Sequence, residues 1–67
     1  MKFEDYKAGD KVIMKPATKR SSVGYEKVGG KTLTIKEIFP QYAWTCTFEE
    51  IDEEGTIYRM KDILRKA

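Results

Sequence analysis

Apolar side chains fall on alternate positions in two stretches of this chain. From Lys31 to Phe39, Leu33 and Ile35 share one side while Thr32, Thr34 and Lys36 share the other. From Tyr42 to Glu49, Tyr42, Trp44, Cys46 and Phe48 share one face opposite Ala43, Thr45, Thr47 and Glu49. A period of two is that of a half-buried β-strand. In the first stretch the phase slips, because Glu37 occupies the next inward position and Ile38 follows it. One extra residue near Lys36-Glu37 restores the pattern and bends the strand, which is what a β-bulge does.

Turn residues bound these runs. Gly9-Asp10 precedes a short run, Lys11-Val12-Ile13-Met14-Lys15, and Pro16 stops it because proline cannot donate to a sheet ladder. Residues 17 to 30 are polar and irregular, the long connection on which function is expected. Pro40-Gln41 makes the next turn. Glu53-Glu54-Gly55 reads as a hairpin loop that sets Phe48 opposite Met60, Glu49 opposite Arg59 and Ile51 opposite Ile57 on the outer face. The leading segment, residues 1 to 8, offers Phe3 and Tyr6 to cover one end of a core. The tail from Lys61 to Ala67 is too short for an isolated helix and reads as one helical turn, with Ile63 and Leu64 plugging the open end. The expected product is one all-β domain over residues 1 to 67, about five strands curled around Val12, Leu33, Ile35, Trp44 and Phe48.

That order of parts resembles the SH3-like barrel superfold: Gly-Asp-x-Val at the first strand, a long loop, a glycine-led bent strand, a tight hairpin and a terminal helical turn. The segment Gly29-Gly30-Lys31-Thr32-Leu33-Thr34-Ile35-Lys36-Glu37-Ile38 is similar to the KOW-type strand of ribosomal and transcription-associated proteins. The general look is that of small accessory proteins of phages and mobile elements. The resemblance spans residues 9 to about 64 and implies a small, strongly bent barrel. The Ala-Leu-Tyr-Asp-Tyr segment of proline-peptide-binding SH3 domains has no counterpart here, so no such binding residues are carried over. Fold does not fix function.

Composition narrows the function classes. The chain of 67 residues is 40% hydrophobic and 36% charged, with eight aromatics, which describes a folded domain with little core to spare. It has no histidine and one cysteine. Cys46 therefore has no imidazole to activate it and no partner for an internal disulfide, and Ser21-Ser22 has no evident base. The acid pairs Glu49/Glu50 and Glu53/Glu54 point to opposite faces of a strand and do not converge. The expectation is a binding module, not an enzyme, with no catalytic residue, no metal, no cofactor and no small-molecule substrate. The acidic run from Asp52 to Gly55 lacks the ligand spacing of a calcium loop and reads as a solvated tip. No apolar run approaches the about 18 residues that span a bilayer, and no apolar leader is present, so the cytoplasm is the expected compartment.

Charge is polarised along the chain. Residues 1 to 36 carry nine Lys/Arg against four Asp/Glu, and residues 37 to 67 carry four against seven. Lys15, Lys19, Arg20, Lys27 and Lys31 lie on or beside the long connection, with Tyr25 among them. Cations with an aromatic suit phosphate contact and base stacking, so these six are the candidate nucleic-acid-binding residues. The alternative partner is a protein, either another chain or a second copy in a homodimer. It would use Ile51, Ile57, Tyr42 and Tyr58 together with an exposed strand edge, while Trp44 is assigned to the core.

Overall fold

Val12 and Met14 point into the core from β1 (Lys11–Met14), and Leu33 and Ile35 do the same from β2 (Thr32–Phe39). A computed structural model describes residues 2–53 and 55–67. Its remaining strands are β3 (Thr45–Phe48), β4 (Tyr58–Arg59) and β5 (Ile63–Lys66), and all five form one antiparallel sheet in the order β4-β3-β2-β1-β5. The protein is thus all-β, and the only helical pieces among the described residues are single 3-10 turns. No helix among the described residues is long and apolar enough to cross a membrane.

The bend falls where the phase slip put it. Ile35 pairs with Phe48, but Glu37 pairs with Thr47, so Lys36 is the extra residue. The first half of β2 consequently pairs with β1, with Val12 opposite Leu33, and the second half with β3. Among the described residues no ladder joins the outer strands β4 and β5, so the sheet wraps its core without closing by hydrogen bonds. The chain itself crosses between these edges through a 3-10 turn, Met60–Asp62. Met60 N–H donates to the Trp44 carbonyl at 2.9 Å, and Lys15 N–H donates to the Asp62 carbonyl at 2.8 Å, so the turn is tied on both sides. Met60 fills the gap beneath it.

Three local expectations need correction. The tail is a strand: its helical turn comes earlier, at Met60–Asp62, and Ile63 to Lys66 pair with β1. The outer edge of β1 leaves backbone groups that need partners, and seven residues satisfy them better as a strand than as one frayed helical turn. Ile63 is buried as expected, but Leu64 is the extra residue of a second bulge and faces solvent. Lys66 ties the strand's end to the leading segment, donating to the Asp5 carbonyl at 2.7 Å and sitting 5.3 Å from the centre of the buried Tyr6 ring.

The hairpin register also differs, with Thr45 opposite Arg59 and Cys46 opposite Tyr58. Phe48 does not face Met60, Glu49 does not face Arg59, and Ile51 packs against the core without meeting Ile57 on an outer face. The cause is Glu50, whose carboxylate accepts both the N–H of Thr34 at 2.7 Å and its hydroxyl at 2.9 Å. Glu49 N–H adds a bond to the Thr34 carbonyl at 2.9 Å, pulling the chain off the β3–β4 ladder towards β2. Of the expected loop, Glu54 lies outside the described residues.

The third correction concerns Tyr42 to Trp44. Tyr42 belongs to a 3-10 turn, Pro40–Tyr42, and is exposed beside the Phe39 ring. Ala43 and Trp44 both adopt left-handed backbone, with φ of 56° and 53°. Trp44 is consequently half-buried, its ring 5.6 Å from that of Phe3, while Thr45 turns inward and is buried. Left-handed backbone costs about 1–2 kcal/mol in a residue with a Cβ. Ala43→Gly is therefore expected to raise stability by about 0.5–1 kcal/mol after the extra unfolded-state entropy of glycine, read as a higher denaturation midpoint.

The core comprises Tyr6, Val12, Met14, Val28, Leu33, Ile35, Cys46, Phe48, Met60 and Ile63. Val28 comes from the long connection, where the local sequence carries no period to announce it.

Candidate functional site

The connection between β1 and β2 is folded, not slack. Thr18 N–H donates to Ser21 Oγ at 2.8 Å and Ser21 N–H to the Thr18 carbonyl at 3.1 Å, forming a small turn that carries Lys19 and Arg20. A 3-10 turn, Tyr25–Lys27, follows Gly24, and buried Val28 anchors it. Tyr25 hydroxyl donates to the Lys15 carbonyl at 2.6 Å, which staples the loop across its base. Burial, and then the nearby Asp62 carboxylate, raise the Tyr25 pKa above its ordinary value, so the phenol stays protonated and can donate.

Beside this loop lie β4 and the Met60–Asp62 turn. Together they border a groove of about 310 Å³ lined by Lys15, Arg20, Tyr25, Arg59, Lys61 and Asp62 among others. The four cations are exposed, and none forms an ion pair with another described residue. A second lobe of about 410 Å³ continues past Tyr25 and Arg59 towards Val23, Ile57 and Tyr58. Lys27 closes its far end in an ion pair with Glu53 of the β3–β4 connection. The hydrogen bond that Lys27 donates to Glu53, reinforced by the carboxylate's charge, raises the Lys27 pKa.

Of the six residues expected to bind nucleic acid, Lys15, Arg20 and Tyr25 come together at the groove. Lys27 reaches its far lobe but is engaged by Glu53, while Lys19 and Lys31 are exposed and line neither lobe. Arg59 and Lys61 were missed. They flank buried Met60 and so share the outward side of the chain, a legible signal obscured by assigning Arg59 to Glu49. The four expected protein-contact residues do not form one patch. Ile51 packs on the core, Ile57 and Tyr58 come together along the groove, and Tyr42 sits apart at the β2–β3 turn.

Asp62 lines the groove itself, whereas two other acids are engaged elsewhere. Glu53 holds Lys27, and Glu50 holds Thr34. Partial burial would raise the Glu50 pKa, but the two Thr34 donors, its own N–H and the Lys11 charge outweigh it and hold the carboxyl below its ordinary value. A depressed folded-state pKa contributes stability that is fully present above the unfolded-state value and lost as pH falls through the folded one. Stability is accordingly expected to drop on acidification below the ordinary glutamate pKa. In Glu50→Gln that part of the loss should be missing, measured as denaturation midpoint against pH.

Cys46 is fully buried, which pushes its thiol up to about 12 and leaves it protonated at neutral pH. Among the described residues no group of three or more His, Cys, Asp or Glu side chains is placed to hold a metal ion. What the arrangement offers is a shaped, cationic recess with an aromatic wall. Comparison with known protein families, curated proteins and solved structures found no match to this chain.

Proposed function

We propose that this protein is a non-catalytic, SH3-like binding module that takes nucleic acid along the groove between the Lys15–Lys31 loop and the β4 edge. The observation that carries this reading is the convergence of Lys15, Arg20, Arg59 and Lys61 on one recess with no described acid paired to any of them. Unpaired cations on a concave surface gain most from a polymer that presents regularly spaced phosphates, because each contact releases condensed counterions. Asp62 is the one acid among the described residues lining the basic lobe, which sets four cations against one carboxylate. The SH3-like reading is supported by the bent β2, the sheet order and the 3-10 turn that links β4 to β5.

The test is fluorescence anisotropy with a labelled oligonucleotide over a salt series. Four phosphate contacts on a single strand give a slope of log affinity against log salt of about −3. Arg20→Glu combined with Arg59→Glu should abolish measurable binding or at least halve that slope. Affinity that ignores both salt and these substitutions would remove the reading.

A protein partner is the competing reading, favoured by the exposure of Val23 and Ile57 beside the groove. It would give binding with weak salt dependence and sensitivity to Ile57→Ser.

A further inference from the structure

The groove's two lobes differ in lining. Lys15, Arg20 and Lys61 belong to the first alone, whereas the second adds Val23, Ile57 and Tyr58 beside the mutually engaged Lys27–Glu53 pair. Ser22, Tyr25, Arg59 and Asp62 border both and stand at the junction. Val23 at 103% and Ile57 at 48% exposure leave apolar surface in water at the side of the recess. Apolar surface beside unpaired cations matches a ligand that alternates flat, weakly polar groups with anions. A single nucleic-acid strand has that alternation, since its bases are free to turn aside from the phosphates. A duplex keeps its bases stacked inside and offers such a recess mainly phosphate.

The geometry points to single-stranded nucleic acid as the ligand, with phosphates in the Lys15/Arg20/Lys61 lobe and one base turned past Tyr25 into the Val23/Ile57/Tyr58 lobe. The inference rests on the nucleic-acid reading above and adds the strand state and the seat of the base. DNA and RNA share this chemistry, and the probes separate them.

Four labelled probes of about 12 nucleotides, within the span such modules cover, decide it: oligothymidine, oligouridine, an abasic deoxyribose-phosphate strand and a blunt duplex. One or both base-bearing strands should bind about tenfold more tightly than the abasic strand and the duplex, the size expected for one seated base. Which of the two binds tighter tells DNA from RNA. Ile57→Ser, at an exposed side chain, should bring the base-bearing affinity towards the abasic one, with an unchanged amide spectrum as evidence of folding. Equal affinity for abasic and base-bearing strands overturns the base seat yet leaves the phosphate groove standing. A duplex that binds best overturns the strand choice alone. No binding of any probe in low salt removes this inference and the nucleic-acid reading together.

Discussion

Phe48→Ala is expected to leave the protein unfolded, or nearly so, at room temperature. Phe48 is one of the largest fully buried side chains, 1% exposed, and it joins three elements. It pairs with Ile35 on β2, sits on β3, and lies 5.6 Å ring to ring from Tyr58 on β4. Truncating a buried phenylalanine costs about 3–5 kcal/mol, the lost transfer energy plus the cavity left behind. A domain of this size has about 3–10 kcal/mol to lose, and small ones sit at the low end. Loss of the cooperative urea transition, followed by circular dichroism, is the expected readout. Phe48→Leu keeps most of the volume and should retain a transition at a lower midpoint. A Phe48→Ala protein that unfolds cooperatively near the parental midpoint would mean that this core is not what holds the sheet.

Gly29→Ala has the second-largest expected effect. A Cβ at Gly29 would lie 2.7 Å from the backbone nitrogen of Ala17 and 2.8 Å from its Cβ, so the two loop strands must separate. Overpacking of this kind costs about 1–3 kcal/mol. The damage should be local. Gly29 N–H donates to the Tyr25 carbonyl and Gly30 N–H to that of Lys15, so displacement at Gly29 carries the Tyr25 staple with it. Amide signals of Lys15, Ala17 and Tyr25 should move, and oligonucleotide affinity should fall although no cation has been changed. Ala17→Gly in the same chain removes one of the two clashes and should restore only part of the stability, because the backbone nitrogen remains. Full stability in Gly29→Ala alone would contradict the close approach.

The strands were legible where one face is buried and the other wet. Leu33 and Ile35 gave the period of β2, and the slip at Glu37 located its bulge to the Lys36-Glu37 pair, of which Lys36 is the extra residue. Legibility failed where a side chain reached across the fold. Nothing near Glu50 in sequence reveals that Thr34 will hold its carboxylate, yet that contact decides the register after Phe48. Apolar alternation from Tyr42 to Phe48 implied one long strand, but two left-handed residues, Ala43 and Trp44, break it without a glycine to mark the spot. The basic half of the site was readable as a run of cations on one loop. That Arg59 and Lys61 share an outward side was readable too, but not where they lie, since only the fold brings residues 15 to 20 beside residues 59 to 61.

The most direct measurement is the backbone amide spectrum of the intact chain titrated with oligothymidine in low salt, then with added salt. Shifts should concentrate at Lys15, Arg20, Tyr25, Arg59 and Lys61, extend to Ile57, and retreat as salt rises. A spectrum that does not move, or that moves chiefly around Tyr42 and Leu64 and ignores salt, would contradict a cationic groove for nucleic acid on this face.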